Sequence, residues 1–267
     1  MFQELLFYFI LSLLIFNINV NAIGENPWDI QNFAEIISGI GQMIQNPAET
    51  VDVPSALIMG KWFQVYKASV SFDINRPQMY CAVSYFKPNS VMGEDGFSIE
   101  EAYRAVSKNG PIETFKRDLN KVGTGKYWMY TEEYFYPRQF YIIKIGPKFG
   151  NDTKVDEIDI QYIVVTDASK LSLTVYAREA MIFFKKYNKE VMDFLREKGF
   201  GGKLFWNSPK PIYQGNDCDW PSEREVFARR VLKNYEYNKK EAARPTTNIT
   251  QTPSEALAEI MKNPQQA

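Results

Sequence analysis

The stretch from Lys61 to Tyr176 alternates short apolar segments with clusters of turn-forming residues, and no helical periodicity interrupts it. Aromatic and β-branched residues dominate the segments, while Pro, Gly, Asn and Asp collect between them, as in Asn109-Gly110-Pro111. Eight such segments predict an antiparallel meander that closes into a barrel, because closure removes exposed edge strands. An eight-stranded barrel has room inside for one small ligand. The predicted strands are 61–70, 78–87, 97–108, 112–121, 126–132, 138–145, 158–166 and 170–177.

Helices are predicted on both sides of the strands. Apolar residues at three- and four-residue steps predict a helix over 179–199 that packs on the barrel. A second apolar stripe, from Ile30 to Ile44, predicts an amphipathic helix before the strands, and the capping-box pair Ser222 and Glu225 opens a third helix after them. The predicted organisation is 1–22 signal peptide, 23–56 N-terminal amphipathic helix and linker, 57–220 barrel with its helix, 221–243 C-terminal helix and 244–267 mostly disordered tail.

The first residues indicate secretion. Leu5 to Phe16 is almost wholly apolar but shorter than a membrane span, and the small residues Val20 and Ala22 fit a signal-peptidase site that cuts after Ala22. An uncleaved anchor is the alternative, since the segment carries Glu4 and no Lys or Arg before its apolar run. No later stretch is long and apolar enough to span a membrane. The sequons at Asn151 and Asn248 predict N-glycosylation in the extracellular space.

Composition excludes several classes of function. The chain has no histidine, which excludes Ser-His-Asp and Cys-His catalysis and most catalytic zinc sites. The 31 basic and 32 acidic residues nearly balance, so no global charge favours nucleic acid or an anionic membrane. We therefore expect no enzymatic activity, no catalytic residue, no metal, no cofactor and no nucleic-acid partner.

Three short motifs resemble those of the lipocalin family. Gly60 and Trp62 form the Gly-x-Trp pattern at the start of the first strand, and Thr166-Asp167 follows the seventh strand. Arg178 leaves the last strand, as the arginine of lipocalins does before their helix. The motifs occur in the family's order over residues 57–220, and with the terminal extensions they look most like the nematode lipocalin-related secreted proteins. The resemblance implies an up-and-down barrel whose closed end is plugged by Trp62, with Arg178 over the indole ring.

The two cysteines, Cys81 and Cys218, are expected to form a disulfide, as cysteines in an oxidising compartment usually do. The resemblance implies that the bridge pins the C-terminal segment to the barrel wall, as in many lipocalins. A nucleophilic thiol is the alternative, although neither Tyr80 nor Ala82 beside Cys81 would activate one.

Two functions follow from the resemblance. The first is a carrier of a small lipophilic molecule in the extracellular space. The second is an extracellular-matrix or partner-binding protein that uses the barrel as a scaffold without cargo, since dense aromatic residues can also fill a small barrel completely. For the carrier, alternation along the strands predicts a set of lining residues: Gln64, Tyr66, Tyr85, Trp128, Tyr130, Phe140 and Ile142.

Overall fold

Eight antiparallel strands form a closed barrel, and the predicted fold is confirmed. The computed structural model describes residues 47–69, 78–131, 136–147, 159–201 and 207–242. The predicted signal peptide, most of the N-terminal helix, both sequons and the tail lie outside these residues. The strands are β1 (Gly60–Ser69), β2 (Met79–Pro88), β3 (Phe97–Ala105), β4 (Ile112–Gly123), β5 (Lys126–Thr131), β6 (Arg138–Gly146), β7 (Tyr162–Thr166) and β8 (Ser172–Ala177).

The barrel closes through β1, which has a partner on each side. Residues Gly60 to Phe63 pair with β2, while Phe63 to Ser69 pair with β8. Every other strand pairs with its neighbour in sequence, which is the up-and-down order. The predicted strand limits differ from these by at most four residues, with the largest difference at the start of β7.

Both faces of the wall are apolar. The inner face carries one cluster to which every strand contributes, and it contains Trp62, Phe86, Phe97 and Phe140. A second cluster covers part of the outer face and includes Val175 and Phe63, and Phe63 meets Trp220 edge-on with ring centres 4.9 Å apart. The barrel wall thus separates two cores instead of a core and solvent.

The helix predicted over 179–199 packs on the outer face. It comprises α1 (Ala180–Ile182), a π-helical stretch (Phe183–Tyr187) and α2 (Asn188–Glu197). Phe183, Val191 and Leu195 are fully buried against the strands, because they recur on one side of the helix.

A short ninth strand, β9 (Lys210–Pro211), enters the wall where β1 and β2 diverge. Its neighbour Ile212 donates from the backbone to Val65 of β1, and Tyr213 accepts from the backbone of Cys81 on β2. The side-chain amide of Gln214 bridges the same two strands by donating to the carbonyls of Gln64 and Ala82. The segment therefore closes the seam that the splayed strands would leave unpaired.

The last described helix, α3 (Glu223–Ala242), lies on the outer face of β3 and β4. Its capping box forms as predicted: Glu225 accepts from the Ser222 backbone at 2.7 Å and donates its own backbone N–H to the Ser222 hydroxyl at 3.4 Å. The Val226 side chain of this helix is buried in the outer cluster. Within the described ranges, no helix is long and apolar enough to cross a membrane.

Candidate functional site

One end of the barrel is closed by Trp62, which is fully buried. Its indole N–H donates to the carbonyl of Ile58 at 2.8 Å, in the 3-10 turn Ser55–Ile58 that crosses this end. The guanidinium carbon of Arg178 lies 3.8 Å from the centre of the indole ring. Gly60 has a φ of +98°, and a Cβ there would lie 3.2 Å from the Arg178 guanidinium. Glycine therefore allows the arginine to reach the ring.

Arg178 also ties the closed end together through hydrogen bonds. Its guanidinium donates to the carbonyl of Lys61 at 3.0 Å and to that of Leu57 at 3.4 Å. These contacts join the last strand, the first strand and the 3-10 turn. Such a residue stabilises the fold and offers no reactive group.

The motif residues after β7 organise the turn into β8. Asp167 accepts from the backbone N–H groups of Leu171 at 3.1 Å and Ser172 at 3.0 Å, and from the Ser169 hydroxyl. Thr166 donates to the carbonyl of Ser172 at 2.5 Å. Short polar side chains that bond to nearby backbone groups are typical of turns. Both residues thus have structural roles.

Aromatic side chains fill the half of the barrel next to the closed end. Phe86 stacks on Phe97 with ring centres 5.5 Å apart, and Tyr176 meets Phe86 edge-on at 5.2 Å. Phe97 in turn contacts Tyr127 and Phe140. Toward the opposite end of the barrel lies a smaller buried cluster, in which Tyr103 stacks on Phe115 with ring centres 5.7 Å apart.

A buried polar layer lies beyond the aromatic rings. Glu101, only 2 % exposed, pairs with Arg117 of the neighbouring strand. The same carboxylate accepts from Gln64 at 2.9 Å and from the Tyr176 hydroxyl at 3.2 Å. Ser84 bridges Gln64 and Glu101. A buried carboxylate requires such partners, because burying an unpaired charge is very costly.

One acceptor in this layer stays without a hydrogen bond among the described residues. The amide nitrogen of Gln64 points to Glu101 and Ser84, and this arrangement fixes the amide orientation, because a carboxylate can only accept. The Gln64 carbonyl oxygen Oε1 is buried and has no partner. It is therefore free to accept a hydrogen bond from a bound molecule.

Burial raises the pKa of two interior tyrosines. The pKa of Tyr176 is raised well above the ordinary value, first by burial and then by the negative charge of Glu101. Burial raises the pKa of Tyr127 to about 12. Both hydroxyls are neutral at physiological pH, so the interior presents neutral hydroxyls beside the Glu101–Arg117 ion pair.

The comparison with known protein families bears directly on this barrel. The model of the lipocalin domain matches residues 38–220 of the chain. This chain belongs to the lipocalin family. Members of the family are generally binders or carriers rather than enzymes. The closer resemblance to nematode lipocalin-related proteins stays a prediction.

Several solved lipocalin structures are similar to this one. Lobster apocrustacyanin A1 has 12 % identity and a TM-score of 0.41, with 64 % of this chain and 92 % of that chain covered. Insecticyanin from the tobacco hornworm Manduca sexta has 14 % identity and a TM-score of 0.41, covering 65 % and 88 %. Japanin from Rhipicephalus appendiculatus, bound to cholesterol, has 9 % identity and a TM-score of 0.40, covering 62 % and 99 %. None of the curated proteins gives a significant match.

Three of the seven predicted lining residues face the interior of this lipocalin. Gln64 lies in the polar layer, and Phe140 and Ile142 lie in the aromatic cluster. Tyr66 lies instead on the outer face, where its hydroxyl donates to Asn188 at 2.8 Å, because a bulge at Val65 reverses the alternation.

The other three predicted lining residues, Tyr85, Trp128 and Tyr130, also face outward, so their assignment to the interior was wrong. Tyr85 lies between the inward-facing Ser84 and Phe86, and its hydroxyl donates to the carbonyl of Pro221. On β5 it is Tyr127 and Met129 that contact the inner cluster. Their neighbours Trp128 and Tyr130 therefore lie on the outer face, since successive side chains of a strand alternate.

Glu101 and Arg117 were missed by the sequence reasoning, although they form the centre of the polar layer. A charged residue at every second position of a predicted strand is usually assigned to the solvent face. The two residues do not lie directly opposite each other in the sheet, since Glu101 pairs with Phe115 and Arg117 pairs with Ile99. They are diagonal neighbours on adjacent strands. Only the side-chain geometry brings them together.

The predicted disulfide is confirmed. Cys81 and Cys218 are bonded, with their Cα atoms 5.4 Å apart, and the bridge spans 137 residues. It holds the segment after β9 against β2. In the described part of the chain, no cluster of acidic, cysteine or histidine side chains is suited to a metal ion.

Proposed function

We propose that this lipocalin is secreted and carries a small, largely apolar molecule that bears a hydrogen-bond donor such as a hydroxyl. The cargo lies in the half of the barrel beyond the aromatic cluster. The observation that supports this proposal most directly is the Gln64 carbonyl oxygen, a buried acceptor that has no hydrogen-bond partner within the described residues.

The chemistry of the polar layer selects the type of head group. A buried acceptor without a partner costs about 1–3 kcal/mol, and a ligand hydroxyl would recover that free energy. A ligand carboxylate offers only acceptors, and it would face Oε1 and the carboxylate of Glu101, whose charge already balances that of Arg117. An alcohol is therefore favoured over the corresponding acid.

Secretion is supported by two features of the chain. The Cys81–Cys218 disulfide is of the kind that persists in oxidising compartments. The predicted signal peptide, with its cut after Ala22, agrees with the same compartment.

A cargo-free scaffold that binds matrix or partner proteins is the second candidate. The observation in its favour is the aromatic cluster, which occupies one half of the interior. Native mass spectrometry of protein secreted by cultured cells separates the two candidates. A bound apolar molecule at one per chain supports the carrier, and a bare protein supports the scaffold.

Retinol and retinoic acid form a matched pair of probes, because they share one skeleton and differ in hydroxyl or carboxylate. We expect retinol to bind more tightly in a tryptophan-quenching titration. Gln64→Met should weaken retinol binding about five- to tenfold, the loss of one hydrogen bond, and leave retinoic acid unaffected. Tyr85→Phe, on the outer face, is the control and should alter neither affinity.

Equal affinity for both probes, or a Gln64→Met variant that binds retinol unchanged, would contradict the proposed head group. If no ligand is found in the secreted protein and no added probe binds to it, the carrier function as a whole is contradicted.

A further inference from the structure

Helix α3 has an apolar side that faces away from the barrel. Val226 is buried beneath the helix, and Arg230 bonds the Glu100 carboxylate of β3 at 2.9 and 3.2 Å, so these two residues mark the docked side. Residues at steps of four from Phe227 and from Ala228 lie on the side of the helix that faces away from the barrel. This exposed face of α3 consists of Phe227, Ala228, Val231, Leu232 and Tyr235.

The large side chains of this face are too exposed to belong to the core. Phe227 is 48 % exposed, Val231 45 %, Leu232 60 % and Tyr235 65 %. Single exposed apolar residues are ordinary, but a contiguous patch marks an interaction surface. Phe227 is partly screened by Arg230, whose guanidinium carbon lies 5.4 Å from the centre of its ring, and Leu232 and Tyr235 are the most open of the four.

The charges on and around the face are asymmetric. Arg224 and Lys239 lie within the same arc of the helix and are exposed. Two of the helix's acids are engaged elsewhere, since Glu223 pairs with Lys87 at 2.8 Å and Glu225 caps the helix start. Glu236 borders the arc beside Tyr235. The face thus combines apolar side chains with cations.

We propose that the exposed face of α3 binds the surface of an anionic lipid membrane. An amphipathic helix with aromatic and aliphatic side chains beside Arg and Lys inserts its apolar side at the boundary of headgroups and acyl chains. Anionic headgroups attract the neighbouring cations. This contact would hold the barrel at the membrane while leaving its interior untouched.

Vesicle sedimentation with the full chain tests the proposal. The protein should bind phosphatidylcholine vesicles that contain phosphatidylserine, and should bind pure phosphatidylcholine much less. Leu232→Gln/Tyr235→Gln keeps good helix formers and should reduce the partition about tenfold or more, because two apolar side chains no longer enter the interface. Arg224→Gln/Lys239→Gln should reduce it roughly tenfold on the anionic vesicles alone.

Val91→Gln is the matched control, since Val91 is 85 % exposed in a turn far from the helix in sequence. It should bind as the wild type does. Binding that ignores phosphatidylserine, or survives the Leu232→Gln/Tyr235→Gln change, would overturn the proposal.

Three other occupants give distinct results, and each would overturn it. A second copy would make the wild type a dimer and the double variant a monomer in light scattering. A segment of the chain itself would make the double variant lose several degrees of melting temperature. A protein partner would be captured from secretions while the vesicles bind nothing. Retinol affinity is a separate readout, so failure of the cargo proposal leaves this test intact.

Discussion

The two sides of the barrel wall differ most clearly at two adjacent residues of β3. Glu100 faces outward and Glu101 inward, and both carboxylates are nearly inaccessible to solvent. Arg230 of α3 pairs with the outer carboxylate, whereas Arg117 of the neighbouring strand pairs with the inner one. The outer pair depends on the docking of a helix. The inner pair is held within the sheet itself.

The difference extends to the hydrogen bonds around each pair. The inner carboxylate also accepts from Gln64 and Tyr176, so it is the centre of a network that spans β1, β3 and β8. The outer carboxylate accepts from the guanidinium of Arg230, which binds both of its oxygens. A change inside should therefore disturb the barrel as a whole, whereas a change outside should loosen one helix.

Removing the arginine from each pair should give the largest difference between the two sides of the wall. Arg117→Met leaves the Glu101 charge buried inside the barrel, and we expect a loss of about 3–5 kcal/mol in the free energy of unfolding. Arg230→Met leaves the Glu100 charge under a helix that can separate and admit water, so we expect about 1–2 kcal/mol. Urea denaturation followed by tryptophan fluorescence measures both. Equal losses would show that the outer pair is as inaccessible to water as the inner one.

The fold could be predicted from the sequence because its signals are local. Turn residues between apolar segments mark the ends of strands, and the Gly60, Trp62 and Arg178 motif marks the closed end. The turn signals depend on a few neighbouring residues, whereas Arg178 lies far from Trp62 in the sequence and its role came from the resemblance to lipocalins. The Ser222–Glu225 capping box is local in the same sense and forms as expected.

The contents of the barrel could not be predicted in the same way, because both faces of the wall are apolar. Tyr66 and Tyr85 are aromatic like Phe140, yet both lie outside the barrel, where Tyr66 bonds to Asn188 of α2 and Tyr85 to Pro221 before α3. One bulge at Val65 is enough to reverse the predicted face. The pairing of Glu101 with Arg117 requires the tertiary structure, since each alone resembles a solvent-facing charge.

Alkaline pH should act on the interior through Tyr127. Its pKa is raised from 10 when unfolded to about 12 in the fold, because burial disfavours the phenolate. Below pH 10 both states keep the proton, so the full stability is present. As pH rises from 10 through 12, the unfolded state ionises first, and about 2–3 kcal/mol is lost.

Tyr127→Phe should remove that part of the alkaline loss. Unfolding curves of both proteins between about pH 9 and 12 measure it, since a pKa difference of one between the folded and unfolded chain corresponds to about 1.4 kcal/mol. Tyr162 and Tyr176 also have raised pKa values and stay in both proteins, so the difference isolates Tyr127. Parallel curves for the two proteins would show that the phenolate of Tyr127 is tolerated inside the barrel.

At neutral pH, removing one hydroxyl from each side of the wall should give results of different sign. The Tyr85 hydroxyl outside donates to the Pro221 carbonyl at 2.8 Å, so Tyr85→Phe should cost about 1 kcal/mol. The Tyr127 hydroxyl inside is buried and has no hydrogen bond within the described residues, so Tyr127→Phe should be neutral or slightly stabilising. Thermal and urea unfolding of the two variants give both values. A loss at Tyr127 equal to that at Tyr85 would mean that the interior hydroxyl has a partner, and a water molecule deep in the aromatic half would then be the simplest one.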